Sequence, residues 1–207
     1  MRTILILLIA IWLNPGLLLA QYNGIAKHSQ PEGLNVGDAA PEIELINHSG
    51  EKFHLSEQLK KGPVVLVFYR GNWCPYCSRY LKELNEALLD IRKTGAELIG
   101  VSPESKEQTK VSQEELTGGM ITLLCDENAL TMKAYNVAFA VADSYQKKLV
   151  QTKNIKLTDH NQQEEAILPV AATYIINTDG MIAFRHFDRD YTNRADIKEI
   201  LAVLQEI

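Results

Sequence analysis

Six consecutive residues, Val64-Val65-Leu66-Val67-Phe68-Tyr69, are β-branched, branched or aromatic with no polar interruption. Such a run is a strand covered on both faces, as in a parallel sheet, so it belongs in the centre of one. Trp73-Cys74-Pro75-Tyr76-Cys77 follows almost at once. Pro75 suits the first position of a helix, and Leu81, Leu84, Leu88 and Ile91 recur at spacings of three, four and three. A long amphipathic helix is therefore expected to begin at the cysteines and end at Gly95. A buried strand handing over to a helix within a few residues requires an α/β fold, and it sets Cys74 at or near the helix N-cap.

The remaining pattern agrees. Glu97 to Val101 reads as a second buried strand, Glu104 to Leu116 as a polar helix and Ile121 to Leu124 as a third strand, in β-α-β order. Ala172 to Ile176, the turn Asn177-Thr178-Asp179-Gly180 and Met181 to Phe187 read as a hairpin, because Asp-Gly supplies the positive φ such a turn needs. A closing helix carries Ile197, Ile200, Leu201 and Leu204. The polar stretch between Ala138 and Leu168, with Lys147-Lys148, Gln162-Gln163 and Glu164-Glu165, has little helical signal and reads as an insertion before the hairpin. The fold class expected is α/β, a central mixed sheet flanked by helices, as one domain over residues 36–207.

Ahead of that domain, Met1-Arg2-Thr3 precedes ten apolar residues, Ile4 to Leu13, which Asn14-Pro15-Gly16 interrupts. The apolar core is shorter than the roughly 20 residues of a spanning helix, so residues 1–20 read as a signal peptide cut after Ala20 and not as a retained anchor. Residues 21–35, with Gly24 and Gly33, read as a flexible lead-in. The expected location is periplasmic or extracellular, with membrane contact only during export. With 21 basic and 26 acidic residues, a net charge of −5 and no Lys/Arg run longer than two, a nucleic-acid partner is excluded.

Three cysteines in 207 residues are too few for a disulfide scaffold. At a helix N-cap, free backbone N–H groups and the helix dipole stabilise a thiolate, so Cys74 is the expected nucleophile. Cys77 lies one turn on, pointing back, where it can resolve whatever Cys74 captures. Three other readings compete. A structural disulfide closing so small a ring removes little chain entropy. A zinc half-site needs two more ligands, and His28, His48, His54, His160 and His186 show neither pairing nor ligand spacing. Two inert buried thiols conflict with a strand-to-helix junction that is open at one end. No metal or cofactor is expected, and no glycine-rich nucleotide motif is present. Electrons must come from an external dithiol donor.

The run Phe68-Tyr69-Arg70-Gly71-Asn72-Trp73-Cys74-Pro75-Tyr76-Cys77, the segment Leu168 to Ile176 and Asp179-Gly180 together resemble the peroxiredoxin-like branch of the AhpC/TSA family, within the thioredoxin-fold superfamily. The likeness covers about residues 36–206. It implies a thioredoxin-like core and thiol-based antioxidant or disulfide-exchange activity. Cys74 matches both the peroxidatic cysteine of peroxiredoxins and the first cysteine of a thioredoxin pair.

The chain departs from the family pattern in four places. Gly71 stands where typical peroxiredoxins have the Thr or Ser that binds peroxide, and Val67 where they have Pro. No Ser or Thr lies between Pro63 and Cys74. Val170, Ala171 and Ala172 occupy the stretch that usually brings an Arg; Arg70 is a candidate electrostatic replacement, the alternative being a solvated surface arginine. Ala171 stands where thioredoxin folds carry a cis-proline, and is expected to be trans; whether Pro169, two residues earlier on the same sheet face, replaces it is left open. Trp73 is expected to shield the thiolate or pack on the sheet edge. Cys125 reads as a buried free thiol in preference to an extra resolving cysteine. Asp188, Arg189 and Asp190 read as a solvated turn. The site residues expected are Cys74, Cys77, Arg70 and Trp73. The expected function is an exported thiol-disulfide oxidoreductase. Its alternatives are a protein disulfide reductase with negligible peroxidase activity and a redox-responsive or metal-carrying binding protein.

Overall fold

A computed structural model describes residues 30–207. The expected signal segment, and the lead-in as far as residue 29, lie outside the described residues. In chain order the elements are β1 (Glu44–Asn47), β2 (Lys52–His54), α1 (Leu55–Leu59), β3 (Val64–Phe68), α2 (Pro75–Glu86), α3 (Leu88–Lys93), β4 (Glu97–Ser102), α4 (Lys106–Thr117) and β5 (Thr122–Cys125). Then come α5 (Leu130–Ala134), β6 (Ala138–Ala140), α6 (Asp143–Lys153), α7 (Leu157–Asn161), β7 (Ile167–Pro169), β8 (Ala172–Ile176), β9 (Ile182–Phe187) and α8 (Ile197–Leu204).

Seven strands form one mixed sheet in the order β2-β1-β5-β4-β3-β8-β9. β3 runs parallel to β4 and antiparallel to β8, so it has a partner on each side. Its faces explain the uninterrupted apolar run. Val65, Val67 and Tyr69 pack with Leu81, Leu84, Leu88, Ile91, Ile200 and Leu204 of α2, α3 and α8. Val64, Leu66 and Phe68 point the other way, into a core with Leu55, Met132, Tyr135 and Tyr174. Every residue of β3 is buried, which is what a strand covered by helices on both faces demands. The expected hairpin is present, with Gly180 at φ +79° and the Asn177 carboxamide oxygen accepting from the Asp179 and Met181 amides.

Several expectations change in detail. The single long helix after the cysteines is two, since the chain turns at Ala87 (φ −86°, ψ −2°). The turn keeps Leu88 and Ile91 on the stripe of Leu81 and Leu84 and leaves Leu89 73% exposed. The polar helix starts at Lys106 and not at Glu104, because the Ser105 hydroxyl caps it by accepting from the Gln108 amide. Glu104 is thereby left outside the helix. The insertion is more ordered than its sequence suggests: β6 and β7 pair antiparallel, and Leu149 of α6 and Leu157 of α7 join Val141, Ala166 and Leu168 in a third small core.

The described end of the lead-in is held on the sheet. Gly33 N–H donates to the Asn136 carbonyl (2.9 Å), Leu34 N–H to the Tyr174 hydroxyl (3.1 Å), and Ala39 bridges Met181. Gly33 has φ +71°, and a Cβ there would stand 2.6 Å from both Phe187 and Tyr174, so only glycine fits this approach. No cis peptide bond occurs among the described residues. Ala171 is trans, as expected. Pro169 is also trans and sits in β7 opposite Ala138, so it does not stand in for a cis-proline.

Candidate active site

The strand-to-helix junction is built as its sequence requires. Cys74 is the N-cap of α2 (φ −91°, ψ 107°), with Pro75 next and the Ser78 N–H donating to the Cys74 carbonyl (3.0 Å). The Ser78 hydroxyl donates back to the Asn72 carbonyl (2.8 Å), which ties the first turn to the loop before it. Gly71 takes φ +134°, a conformation side-chain-bearing residues avoid. A Cβ there would lie 2.5 Å from the Trp73 indole nitrogen and 2.9 Å from a Glu104 carboxylate oxygen. The backbone excludes a threonine at this position.

All four expected site residues come together. Arg70 is 5% exposed and no surface arginine: Nη2 donates to Cys74 Sγ (3.1 Å), and its backbone N–H donates to Cys77 Sγ (3.5 Å). Its guanidinium carbon lies 3.6 Å from the centroid of the Tyr191 ring and 5.5 Å from that of Trp73. These aromatic faces let a buried cation exchange water for π density. Trp73 packs on the main core and on the insertion core, with its ring beside Arg70.

The two thiols differ in chemistry. The hydrogen bond from the Cys77 thiol, then the charge and hydrogen bond of Arg70, pull the Cys74 pKa down to about 5 against the effect of burial. Burial pushes Cys77 well above the ordinary thiol range, with the neighbouring Cys74 adding to it. Burial works against the Arg70 charge, but Cys74 and Cys77 more than offset it and hold the guanidinium protonated. The result is a thiolate–guanidinium pair next to a protonated thiol.

One expectation fails here. Cys74 has no exposed surface and Cys77 is 1% exposed, so the junction is closed where its sequence predicts an open end. Trp73, Tyr191 and Tyr145, all partly exposed, gather round Arg70, the residue that contacts both sulfurs. A groove of about 650 Å³ lies along the outer face of α2, bounded by Asn72, Trp73, Pro75, Ser78 and Lys153, and neither cysteine lines it.

Sequence reasoning misses six residues that shape this site. Arg194, from the segment after β9, puts Nη2 3.6 Å from Cys77 Sγ. Tyr191 stacks on Arg70. Tyr145 of α6 accepts from Arg70 Nη1 at its hydroxyl oxygen (3.4 Å). Glu104, fully buried, accepts from the Asn72 amide (2.8 Å) and the Ser112 hydroxyl (2.7 Å), with His160 Nε2 at 3.4 Å. His160 thus meets an acid. The insertion therefore touches the 70–74 segment three times, through Tyr145, through His160 and Glu104, and through Lys153 Nζ, which donates to the Trp73 carbonyl (3.3 Å). The only sequence signal for the late contributors is the charged turn at residues 188–190. Asp188 and Asp190 are solvated there, accepting from Asn193 and Thr192, while Tyr191 and Arg194 beside them reach inward. Cys125 is a buried free thiol on β5, its pKa raised by burial, and belongs to no part of this site.

The family model described as the AhpC/TSA family matches residues 36–185. The chain belongs to the AhpC/TSA family. It is 30% identical over 153 residues to a Helicobacter pylori protein named "Putative peroxiredoxin bcp", covering 73% of this chain and 86% of that one. It is 26% identical over 146 residues to "Thiol-disulfide oxidoreductase ResA" of Geobacillus kaustophilus, covering 68% and 83%. Among solved structures, peroxidoxin BcpB from Mycobacterium tuberculosis superposes with a TM-score of 0.65 at 19% identity, over 84% of this chain and 98% of the other. That likeness establishes the thioredoxin-like fold of the peroxiredoxins. With these relatives, the protein is a thiol-dependent oxidoreductase.

Proposed function

We propose that this AhpC/TSA protein is exported and reduces peroxides, and disulfides as a second substrate class, with Cys74 as nucleophile and Cys77 as resolving thiol. The observation that carries the reading is the 3.1 Å contact from Arg70 Nη2 to Cys74 Sγ, with the Arg70 backbone N–H donating to Cys77 Sγ at 3.5 Å. The Cys74 thiolate attacks the near oxygen of a hydroperoxide: an S–O bond forms, the O–O bond breaks, and the electron pair leaves on the far oxygen, which takes up a proton. Sulfur is oxidised by two electrons and the peroxide reduced by two. The Cys77 thiol then attacks the sulfenic acid, forming the Cys74–Cys77 disulfide and releasing water. An external dithiol of thioredoxin type returns the pair to thiols by exchange. Trp73 and Arg70 shield and polarise the reacting sulfur.

A protein disulfide reductase with negligible peroxidase activity is the second reading, favoured by the missing hydroxyl at Gly71. Stopped-flow mixing of the reduced protein with hydrogen peroxide separates the two. Consumption of one equivalent per protein, abolished by Cys74→Ser and leaving a trapped sulfenic acid in Cys77→Ser, supports peroxide reduction; disulfide exchange without peroxide consumption selects the reductase. Export rests on the pattern of residues 1–20, and N-terminal sequencing of protein from its host is expected to start near Gln21.

A further inference from the structure

We infer that Tyr145, on helix α6 of the insertion, supplies the hydroxyl that binds and protonates the departing peroxide oxygen, the part left vacant by Gly71. The inference rests on the peroxide-reducing reading above. Both Nη atoms of one planar guanidinium are committed, Nη2 to Cys74 Sγ at 3.1 Å and Nη1 to Tyr145 Oη at 3.4 Å, so one cation links the phenol to the reacting sulfur. A guanidinium only donates. Tyr145 Oη must therefore be the acceptor in that contact, which leaves its own hydrogen free to turn toward a ligand. Tyr191 meets the same cation with its ring face. Arg70 Nε, buried and without a partner among the described residues, is a further donor on the same group. Burial raises the Tyr145 pKa against the opposing charge and hydrogen bond of Arg70, so the phenol keeps its proton when substrate arrives.

In the reaction, the Cys74 thiolate takes the near oxygen as the O–O bond breaks. Negative charge grows on the far oxygen, an alkoxide or hydroxide more basic than a phenolate. The Tyr145 O–H donates to that oxygen and passes it the proton, completing the alcohol or water, and solvent reprotonates the phenolate through the partly exposed edge of Tyr145. A donor aimed at charge that develops only in the transition state is commonly worth about 100- to 1,000-fold when removed from a closed site. Disulfide exchange makes a thiolate, a weaker base, and has less need of it.

The test compares two rate constants in one reduced protein, for hydrogen peroxide and for oxidised glutathione, each followed by loss of thiolate absorbance. Tyr145→Phe is expected to lower the peroxide-to-disulfide ratio by about 10- to 100-fold. Incorporating 3-fluorotyrosine at position 145 keeps the packing and acidifies the phenol, and is expected to raise the ratio. An unchanged ratio in both variants, including a case where both rates fall together because Arg70 has shifted, overturns the assignment. Wild-type protein that exchanges disulfide but leaves peroxide unconsumed overturns the peroxidase reading itself.

Discussion

Cys74 and Cys77 are the same residue type one helical turn apart, and their environments drive their ionisation in opposite directions. For Cys74 the folded pKa lies below the unfolded one, so folding favours its thiolate. That stabilisation is fully present above the unfolded thiol value, near 8.5, and fades as pH falls through about 5. The reduced protein is therefore expected to lose stability between roughly pH 8 and pH 5, with a slope approaching about 1.4 kcal/mol per pH unit inside that window. Urea melts of reduced wild type and Cys74→Ser across that range measure it, and parallel curves would refute the thiolate. Arg70→Met is expected to raise the Cys74 pKa by more than about one pH unit, read from alkylation rate against pH, because it removes both the charge and the donor. Gly71→Thr is expected to cost more than about 2 kcal/mol, through strain at φ +134° and collision with Trp73 and Glu104, without raising the peroxide rate.

At the scale of elements, the insertion is what assembles the site. Helices α6 and α7 carry Tyr145, Lys153 and His160, and they hold to the body through Leu149 and Leu157 packed against Ala166, Leu168 and Trp73. Leu157 is 1% exposed, so Leu157→Ala leaves a cavity in a small cluster with little else to fill it. The expected loss is about 2–4 kcal/mol in a denaturant melt, accompanied by faster amide exchange in α6 than in β3. How much of this is legible in the sequence follows from the range of each signal. Strand β3, the N-cap at Cys74 and the hairpin at Asp179-Gly180 are written in periods and turn residues a few positions long. The turn at Ala87 is not, since the apolar stripe continues through it. Nor is the burial of Arg70, whose partners at 145 and 191 are brought near only by the completed sheet. The low helical signal of the insertion is real, because its stability comes from the core it makes with Trp73 and not from its own propensities.

Across the whole molecule, the chain before β1 closes the far side of the sheet. Gly33, Leu34 and Ala39 are bound to Asn136, Tyr174 and Met181, and Tyr174 is a fully buried member of the second core. A chain beginning at Glu42 is expected to melt several degrees below one beginning at Gln30, because it loses these hydrogen bonds and the partly buried Leu34 and Ala40 that pack there. Scanning calorimetry of the two chains decides it; equal melting temperatures would show that the segment contributes nothing.

The contact between Arg194 and Cys77 spans 117 residues of chain. Synthesis runs from the N-terminus, so both cysteines leave the ribosome well before Tyr145 and long before Tyr191 and Arg194. During that interval Tyr145, Tyr191 and Arg194 are missing from the surroundings of Arg70 and Cys77. The nascent chain is thus open to wrong pairing, with Cys125 among the candidates, until its C-terminal segment arrives. The reactivity of this thiol pair belongs to the finished chain, and a truncated product would carry the motif without the chemistry.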